Sequence, residues 1–242
     1  MAGYGLIGYP LTHSFSPAYF AEKFKKEGIE GHYELYPLAE IAEYTALLHM
    51  HPEIEGLNVT IPYKSAVMPY LDALDEAAEE VGAVNCIHIH QQTTKGYNTD
   101  IIGFERSLQP LLLPTHQQAL VLGSGGASKA VCYVLRKLGI HYVVISRKGE
   151  INYDDITNDV VATHTLIINT TPLGMHPDIE AYPMLPYKAI TSNHVLYDLI
   201  YNPEETAFLR KGKLQGATIK NGLEMLQLQA EASWEIWQAN RL

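Results

Sequence analysis

Short apolar runs alternate along this chain with segments whose apolar residues recur at helical spacing. Apolar runs bounded by Gly, Pro, Asn or Asp are typical of buried strands, and apolar residues three or four positions apart indicate a helix that packs on one face. Strands are predicted at 4–9, 32–36, 56–60, 84–90, 119–122, 142–145, 166–169, 195–198 and 217–219. Helices are predicted from 16 onward and at 38–50, 75–81, 101–112, 127–138, 203–211 and 222–238.

The first helix carries the clearest start signal. Ser16 precedes Pro17, which fits an N-cap followed by a first-turn proline, and Phe20 and Phe24 give the helix an apolar face. Strands that alternate with helices indicate an α/β fold with largely parallel sheets. The loop 109–118 is the best candidate for a junction between two domains, and the start of the preceding helix is the alternative.

Composition narrows the class of protein. The chain has 242 residues, 47% of them hydrophobic, and a net charge of -10, so one large domain or two small ones can form a core. The acidic balance excludes a nucleic-acid binder, which needs clustered positive charge. No apolar stretch reaches the about 20 residues of a membrane helix, and no signal peptide is recognisable, so we expect a cytoplasmic protein. Cys86 and Cys132 are expected to be buried, reduced thiols.

A glycine-rich turn follows the predicted strand 119–122 and opens the next helix. Gly123 suits a tight turn, and Gly125 would let a pyrophosphate approach the backbone. Gly126 and Ala127 keep the helix start free of bulky side chains, where backbone N–H groups favour an anion. Ser124 completes the turn. The segment therefore predicts a dinucleotide site, with a simple glycine turn as the alternative.

The end of the next strand bears on the choice of cofactor. A site for NAD normally carries Asp or Glu there, whereas this chain has Ser146, Arg147 and Lys148. A guanidinium can bind a 2′-phosphate through paired charge-assisted hydrogen bonds. NADP is therefore favoured over NAD, and two solvated loop cations are the alternative interpretation.

Three polar clusters precede residue 101. Ser14 and Ser16 could present two hydroxyls to a carboxylate near a helix start, although Ser16 alone would be read as a cap. Thr60 and Lys64 follow a strand, which is where ligands bind in open α/β sheets. Asn85 and Asp100 flank a predicted strand hairpin. Together these residues suggest a polar ligand site.

Taken together, these segments resemble the shikimate dehydrogenase family. Its pattern includes HSxSP, NVTxPxK, GAVNT, GxNTD, GxGGAS, an NRT-like phosphate turn, NATPxGM and MLxxQ. The corresponding stretches here are 13–17, 58–64, 82–86, 96–100, 123–128, 146–148, 169–175 and 225–229, so the resemblance spans nearly the whole chain. Cys86 stands where the family usually has Thr, and Ser146 where it has Asn.

The resemblance implies a reversible NADPH-dependent reduction of 3-dehydroshikimate to shikimate, in the route to aromatic amino acids. It implies an N-terminal α/β substrate domain of 1–100 with 221–242, whose C-terminal helix returns to it, and a Rossmann-type NADP domain of 101–220. Lys64 and Asp100 resemble the catalytic pair. Substrate-binding positions are Ser14, Ser16, Thr60, Asn85, Tyr201 and Gln229. Cofactor positions are Gly123, Ser124, Gly125, Gly126, Ala127, Ser146, Arg147, Lys148, Thr170, Thr171, Leu199, Gly222 and Met225.

Alternative readings of the chain remain open. An NAD-dependent quinate/shikimate dehydrogenase is the nearest enzyme, and a non-catalytic sensor of a shikimate-type ligand is the nearest binding protein. No metal site is expected, because His88 and His90 alternate along a strand without a further ligand set. The expected partner is a small molecule, with no nucleic acid and no membrane, and the sequence does not distinguish a monomer from a homodimer.

Overall fold

A computed structural model describes residues 2–11, 14–147 and 149–239 of the chain. It divides into two compact units. The first comprises Met1–Thr99 with Ala230–Leu242, and the second comprises Asp100–Gln229. In the residues described, no helix is both long enough and apolar enough to cross a membrane.

The first unit is built on a six-stranded sheet of order β2-β1-β3-β5-β6-β4. Strand β1 pairs in parallel with β2 and β3, whereas β5 runs antiparallel to β3 and β6. The strands are β1 (Ala2–Gly8), β2 (Gly31–Pro37), β3 (Ile54–Val59), β4 (Ala73–Leu74), β5 (Cys86–His90) and β6 (Thr93–Tyr97). The helices between them are α1 (Ser16–Glu27), α2 (Glu43–Met50) and α3 (Glu76–Val81).

Aromatic side chains form one face of the first unit's core. Tyr4 stacks on Trp237, with ring centroids 5.0 Å apart, and meets Trp234 edge-on at 5.3 Å. The Trp237 indole N–H donates to the backbone carbonyl of Ile87 at 3.0 Å. A Cβ at Gly56 would lie 2.4 Å from that indole nitrogen, so only glycine lets the ring lie on β3. The tryptophan pair therefore packs a helix onto the sheet.

The second unit carries a five-stranded, fully parallel sheet of order β11-β10-β9-β7-β8. Its strands are β7 (Gln118–Leu122), β8 (His141–Ile145), β9 (Leu166–Asn169), β10 (Val195–Asp198) and β11 (Thr218–Lys220). Its helices are α4 (Thr99–Leu108), α5 (Gly126–Lys137), α6 (Asn158–Thr163), α7 (Ala207–Lys213) and α8 (Leu223–Gln238). α4 begins at the last residue of the first unit, and α8 ends within the first unit. The predicted α/β class is confirmed.

Two predicted helices start late. The helix predicted at 38–50 begins at Glu43, because Leu38 is buried in the core and its carbonyl accepts from the Tyr63 hydroxyl at 2.7 Å. The helix predicted at 203–211 begins at Ala207, where the Thr206 side chain caps it by accepting from the Leu209 N–H. In both cases the predicted first residue, Leu38 or Pro203, belongs to the segment before the helix.

The segment after Arg147 and the two cysteines are the remaining local features. The segment after Arg147 forms only the short α6 and one turn of 3-10 helix at Tyr153–Asp155, in place of a long crossover helix. Cys86 is buried as expected, whereas Cys132 is only half-buried, and both are free thiols.

The predicted and observed divisions of the chain differ at α8. The sequence assigns 221–242 to the first domain, whereas residues up to Gln229 group with the second unit. The physical reason is close packing on Gly103, where a Cβ would lie 2.5 Å from the Met225 carbonyl oxygen. The assignment of domain roles stays a prediction.

Candidate active site

The predicted carboxylate-binding serines follow β1 in the first unit. Both are half-buried, and Ser16 is the first residue of α1. Phe15 occupies the cap position with no side-chain cap hydrogen bond, so the reading of Ser16 as a cap is wrong. The Ser16 hydroxyl instead hydrogen-bonds the phenol of Tyr33, which opposes the rise in the Tyr33 pKa that burial causes. His13, in the same motif, lies outside the described residues.

Thr60 and Lys64 lie in a turn that directly follows β3. The Tyr63 N–H donates to the Thr60 carbonyl at 2.9 Å and closes this turn. The Val84 N–H donates to the Lys64 carbonyl at 2.7 Å, and the Val59 N–H donates to the Asn85 carbonyl at 2.9 Å. Backbone hydrogen bonds thus bring Thr60, Lys64 and Asn85 to the same end of the sheet, where β3 ends and β5 begins.

Asn85 is held by a chain of buried side-chain hydrogen bonds. Its Oδ1 accepts from the Thr99 backbone N–H at 2.6 Å and from the Thr99 hydroxyl at 3.1 Å. The Thr99 and Ser233 hydroxyls are 3.1 Å apart, and Asn58 Nδ2 donates to Ser233 at 2.9 Å. Tyr33 donates to Asn58 Oδ1 at 2.8 Å, which continues the chain toward Ser16. Among the described residues the amide nitrogen of Asn85 has no hydrogen-bond partner, and the hydrogen bonds to its oxygen fix the orientation of the amide.

Asp100 is the next residue after Thr99 and lies in the first turn of α4. A carboxylate is favourable there because the helix dipole presents positive charge at its N-terminus. The N–H of Thr99, the residue before Asp100, donates to Asn85 Oδ1. Asp100 belongs to the second unit and Asn85 to the first.

The remaining predicted substrate residues belong to the second unit. Tyr201 follows β10 and is 40% exposed. Gln229 is buried on α8, where its Nε2 donates to the Leu226 carbonyl at 2.9 Å. A Cβ at Gly103 would lie 3.1 Å from the Gln229 Cβ, so the α4 backbone packs directly against this part of α8.

The glycine turn between β7 and α5 has the shape predicted from the sequence. Gly123 has φ +108°, a conformation that favours glycine, and a Cβ there would lie 2.7 Å from Thr170 Oγ1. Gly125 caps α5 without a side-chain hydrogen bond, and nothing lies within 4 Å of a Cβ built on Gly125 or Gly126. The helix N-terminus is thus left without a side-chain cap and with room for a phosphate.

A cavity of about 440 Å³ lies at this end of the parallel sheet. It is lined by Gly123, Ser124, Gly125, Ser146, Arg147, Tyr153, Thr170, Thr171, Pro172 and Leu173. Seven of these are predicted cofactor positions, namely Gly123, Ser124, Gly125, Ser146, Arg147, Thr170 and Thr171. Gly126, Ala127, Leu199, Gly222 and Met225 do not line it, and Lys148 lies outside the described residues.

Three lining residues were not predicted. Pro172 and Leu173 lie inside the predicted loop 169–175, so the motif itself points to them. Tyr153 had no signal, because nothing in the sequence shows how the short segment after Arg147 folds back.

Buried hydrogen bonds at the ends of β9 and β10 set the shape of the loop beside the cavity. Asn169 Oδ1 accepts from the Thr171 N–H at 3.0 Å and from its hydroxyl at 2.7 Å, and Asn169 Nδ2 donates to Asp198 Oδ1 at 3.0 Å. Asp198 Oδ2 also accepts from the Thr206 hydroxyl at 2.6 Å. Burial raises the Asp198 pKa to about 6, against the opposing effect of these hydrogen bonds.

A second cavity, of about 830 Å³, lies in the first unit. It is lined in part by Ile54 at the start of β3 and by His88 and His90 at the end of β5, which is the opposite end of the sheet from Thr60. None of the predicted site residues lines it. In the part of the chain that the structure describes, no three His, Cys, Asp or Glu side chains are grouped so that they could hold a metal ion.

The residues around the smaller cavity fit a phosphorylated dinucleotide. The uncapped α5 N-terminus suits a pyrophosphate. Arg147 is exposed and, among the described residues, forms no ion pair, so its guanidinium is available to a phosphate.

Several known proteins that resemble this chain are shikimate dehydrogenases. The family model for the shikimate dehydrogenase substrate binding domain matches residues 6–87. A shikimate dehydrogenase (NADP(+)) from Clostridium beijerinckii is 40% identical, over 100% of this chain and 94% of the relative. One from Methanococcus maripaludis is 39% identical, over 96% and 90%. The crystal structure of shikimate 5-dehydrogenase from Thermus thermophilus, in complex with NADP(H) and shikimate, superposes with TM-score 0.88 at 31% identity and covers 99% and 94% of the two chains. This chain belongs to the shikimate dehydrogenase family.

Proposed function

We propose that this protein catalyses the reversible reduction of 3-dehydroshikimate to shikimate with NADPH, in the route to aromatic amino acids. The relatives named above are NADP(+) enzymes, and the Thermus thermophilus structure contains NADP(H) and shikimate. The exposed Arg147 and the uncapped α5 N-terminus support NADP as the cofactor.

The chemistry requires one hydride and one proton. The reduced nicotinamide supplies the hydride to the carbonyl carbon of the substrate. In this proposal the Lys64 ammonium polarises the carbonyl oxygen and gives it a proton as the alcohol forms. In the reverse direction the neutral Lys64 amine takes the hydroxyl proton. Asp100 is the second member of the pair, and its carboxylate orients the Lys64 ammonium and the reacting hydroxyl.

The other predicted residues hold the substrate. Ser14, Ser16 and Tyr201 are assigned to the carboxylate, and Thr60, Asn85 and Gln229 to the ring hydroxyls and carboxylate. Asn85 has the strongest structural support, because its oxygen is occupied by Thr99 while its amide nitrogen has no partner among the described residues. That amide is therefore a donor, and a substrate hydroxyl oxygen is the matching acceptor.

One observation carries the proposal. Backbone hydrogen bonds from Val84 to Lys64 and from Val59 to Asn85 hold a lysine and an oriented amide at one end of the sheet. A proton donor beside a fixed hydroxyl-binding group is what reduction of a ring ketone needs.

The test is a set of initial rates with shikimate and quinate, each with NADP⁺ and NAD⁺. We expect the highest kcat/KM with shikimate and NADP⁺. Activity confined to quinate and NAD⁺ would replace this assignment with the quinate/shikimate enzyme. Shikimate binding without any turnover would instead favour a sensor.

The same assay tests the assignment of Lys64. We expect Lys64→Ala to lower kcat by at least about a hundredfold, the lower range for general acid–base catalysis, with a smaller change in KM. Lys25→Ala, an exposed lysine on α1, is the matched control and should keep wild-type kcat. Near-normal kcat in Lys64→Ala would remove Lys64 from the mechanism.

A further inference from the structure

We propose that the Tyr153 hydroxyl binds the 2′-phosphate of NADP together with Arg147 and so adds to the selectivity for NADP over NAD. This inference rests on the dinucleotide site of the proposed function. Tyr153 lies outside every motif that relates this chain to its family.

Tyr153 belongs to the same cavity as the predicted phosphate-binding residues. Ser146, Arg147 and Tyr153 all line the space of about 440 Å³ that also contains the glycine turn. Burial raises the pKa of Tyr153, and the positive charge of Arg147 opposes that rise. The phenol therefore stays neutral and keeps its proton for donation at physiological pH, within the electrostatic reach of the guanidinium.

The side chains of Ser146, Arg147 and Tyr153 have hydrogen-bond donors that a ligand can use. Among the described residues, the Tyr153 hydroxyl and the Ser146 hydroxyl make no hydrogen bond and Arg147 makes no ion pair. A hydroxyl, a phenol and a guanidinium that line one cavity supply donors of two kinds, which suits a phosphate with its three acceptor oxygens.

The backbone holds Tyr153 in place without a ligand. Asn152 and Asp155 form a reciprocal capping box, in which Asn152 Oδ1 accepts from the Asp154 N–H at 2.8 Å and Asp155 Oδ2 accepts from the Asn152 N–H at 2.8 Å. The Tyr153 ring also packs against the core of the second unit. A side chain fixed in this way loses little conformational entropy when it binds.

The short loop after β8 explains why Tyr153 lines the same cavity as Arg147. The Ser146 N–H donates to the Ile151 carbonyl at 3.2 Å, which folds the chain back within a few residues. A Cβ at Gly149 would lie 2.6 Å from Ser146 Oγ, so the chain passes close to the Ser146 side chain on its return. A long crossover helix would carry the following residues away from Arg147, whereas this short loop returns Tyr153 to the cavity.

The experiment is calorimetric binding of NADPH and NADH to the full chain, without shikimate. Tyr153→Phe removes only the hydroxyl and keeps the ring that packs on the core. We expect it to weaken NADPH binding by about tenfold, the scale of one hydrogen bond to a charged group, and to leave NADH binding unchanged. Tyr133→Phe, a half-buried tyrosine on α5 that does not line the cavity, is the matched control and should bind both cofactors like the wild type.

Two outcomes overturn the inference. If Tyr153→Phe binds NADPH with wild-type affinity, the hydroxyl does not contact the 2′-phosphate. If the binding of NADPH and of NADH is weakened equally, the role of Tyr153 is structural or consists of ring stacking. Arg147→Ala separates this failure from failure of the site itself. If Arg147→Ala abolishes the preference for NADPH and Tyr153→Phe does not change it, only the role of Tyr153 is wrong. If neither variant changes the preference, the predicted dinucleotide site is wrong as well.

Discussion

The predicted cofactor residues include two glycines with opposite surroundings. A Cβ on Gly125 would meet nothing within 4 Å, and its φ of -80° is open to any residue. A Cβ on Gly222 would lie 2.0 Å from the Leu199 carbonyl oxygen, inside the protein's own backbone. Gly222 is therefore required by packing, whereas packing gives no reason for glycine at Gly125, which leaves ligand approach as the reason.

We expect the two substitutions by alanine to separate stability from binding. Gly222→Ala should lower the free energy of unfolding by about 1–3 kcal/mol, as overpacking does. Gly125→Ala should change it by less than about 0.5 kcal/mol, as surface substitutions do, yet weaken NADPH binding by at least about tenfold. Urea unfolding and calorimetry on both variants measure this. Unchanged NADPH affinity in Gly125→Ala would argue against pyrophosphate approach at this turn.

Individual site residues can be predicted from the sequence where they belong to a recognisable motif. The glycine turn and Arg147 could be predicted, because spacing after a strand dictates where they lie. Ser233 and Tyr33 could not, because their part in holding Asn85 and Ser16 depends on hydrogen bonds between residues far apart in the chain.

The ends of strands β9 and β10 hold a buried carboxylate, Asp198, which Asn169 hydrogen-bonds. Asp198 is fully buried, and burial raises its pKa from 3.8 to about 6. In the folded chain it keeps its proton at pH values where the unfolded chain has lost it. Folding therefore takes up a proton in this window, and the stability contributed by Asp198 falls as pH rises from about 4 through about 6.

Asp198→Asn should remove this pH dependence. The amide has nearly the same shape and can still accept from Asn169 while its nitrogen donates to Thr206. Relative to this variant, the wild type should lose on the order of 3 kcal/mol of unfolding free energy between about pH 4 and pH 7, at about 1.4 kcal/mol per pKa unit. Urea unfolding across that range measures it, with Asp178→Asn, an exposed carboxylate of the same unit, as control. A parallel pH profile for wild type and Asp198→Asn would show that Asp198 ionises normally.

Most strands and long helices were predicted because periodicity indicates which face is buried, whereas β4 and α6 were not among the predicted elements and α4 ends at Leu108 rather than at 112. The start of α2 was not, since the apolar Leu38 is buried by a turn rather than by a helix. The start of α7 depends on the Thr206 side chain, which caps the helix by accepting from the Leu209 N–H. In the sequence, Pro203 is an equally strong signal for a helix start.

On the scale of the whole molecule, two helices belong to both units. α4 begins at Thr99 in the first unit and continues in the second, and α8 contributes residues up to Gln229 to the second and those from Ala230 to the first. Sequence patterns identify such helices but not which unit each turn packs against, which is why the predicted boundary at 221 differs from the observed grouping.

Shared helices predict cooperative unfolding. NADPH at about 100 times its Kd should raise the free energy of unfolding by about 2.7 kcal/mol, because it binds only the folded chain. We expect circular dichroism and tryptophan fluorescence to give the same shift in urea midpoint. A fluorescence midpoint that NADPH leaves unmoved, with a shifted circular dichroism midpoint, would show that the units unfold separately.

The aromatic cluster of the first unit has a spectroscopic consequence. The chain has only 2 tryptophans, and both lie on α8 within that unit. Trp237 is buried with its indole N–H bonded to Ile87, whereas Trp234 lies nearer the surface at 9% exposure. Labelled with 5-fluorotryptophan, the protein should give two ¹⁹F resonances, and a paramagnetic relaxation agent in the solvent should broaden the Trp234 line first. The second unit contains no tryptophan, so a ¹⁹F resonance that shifts when a cofactor is added reports on the first unit, which is not the unit whose residues fit a dinucleotide.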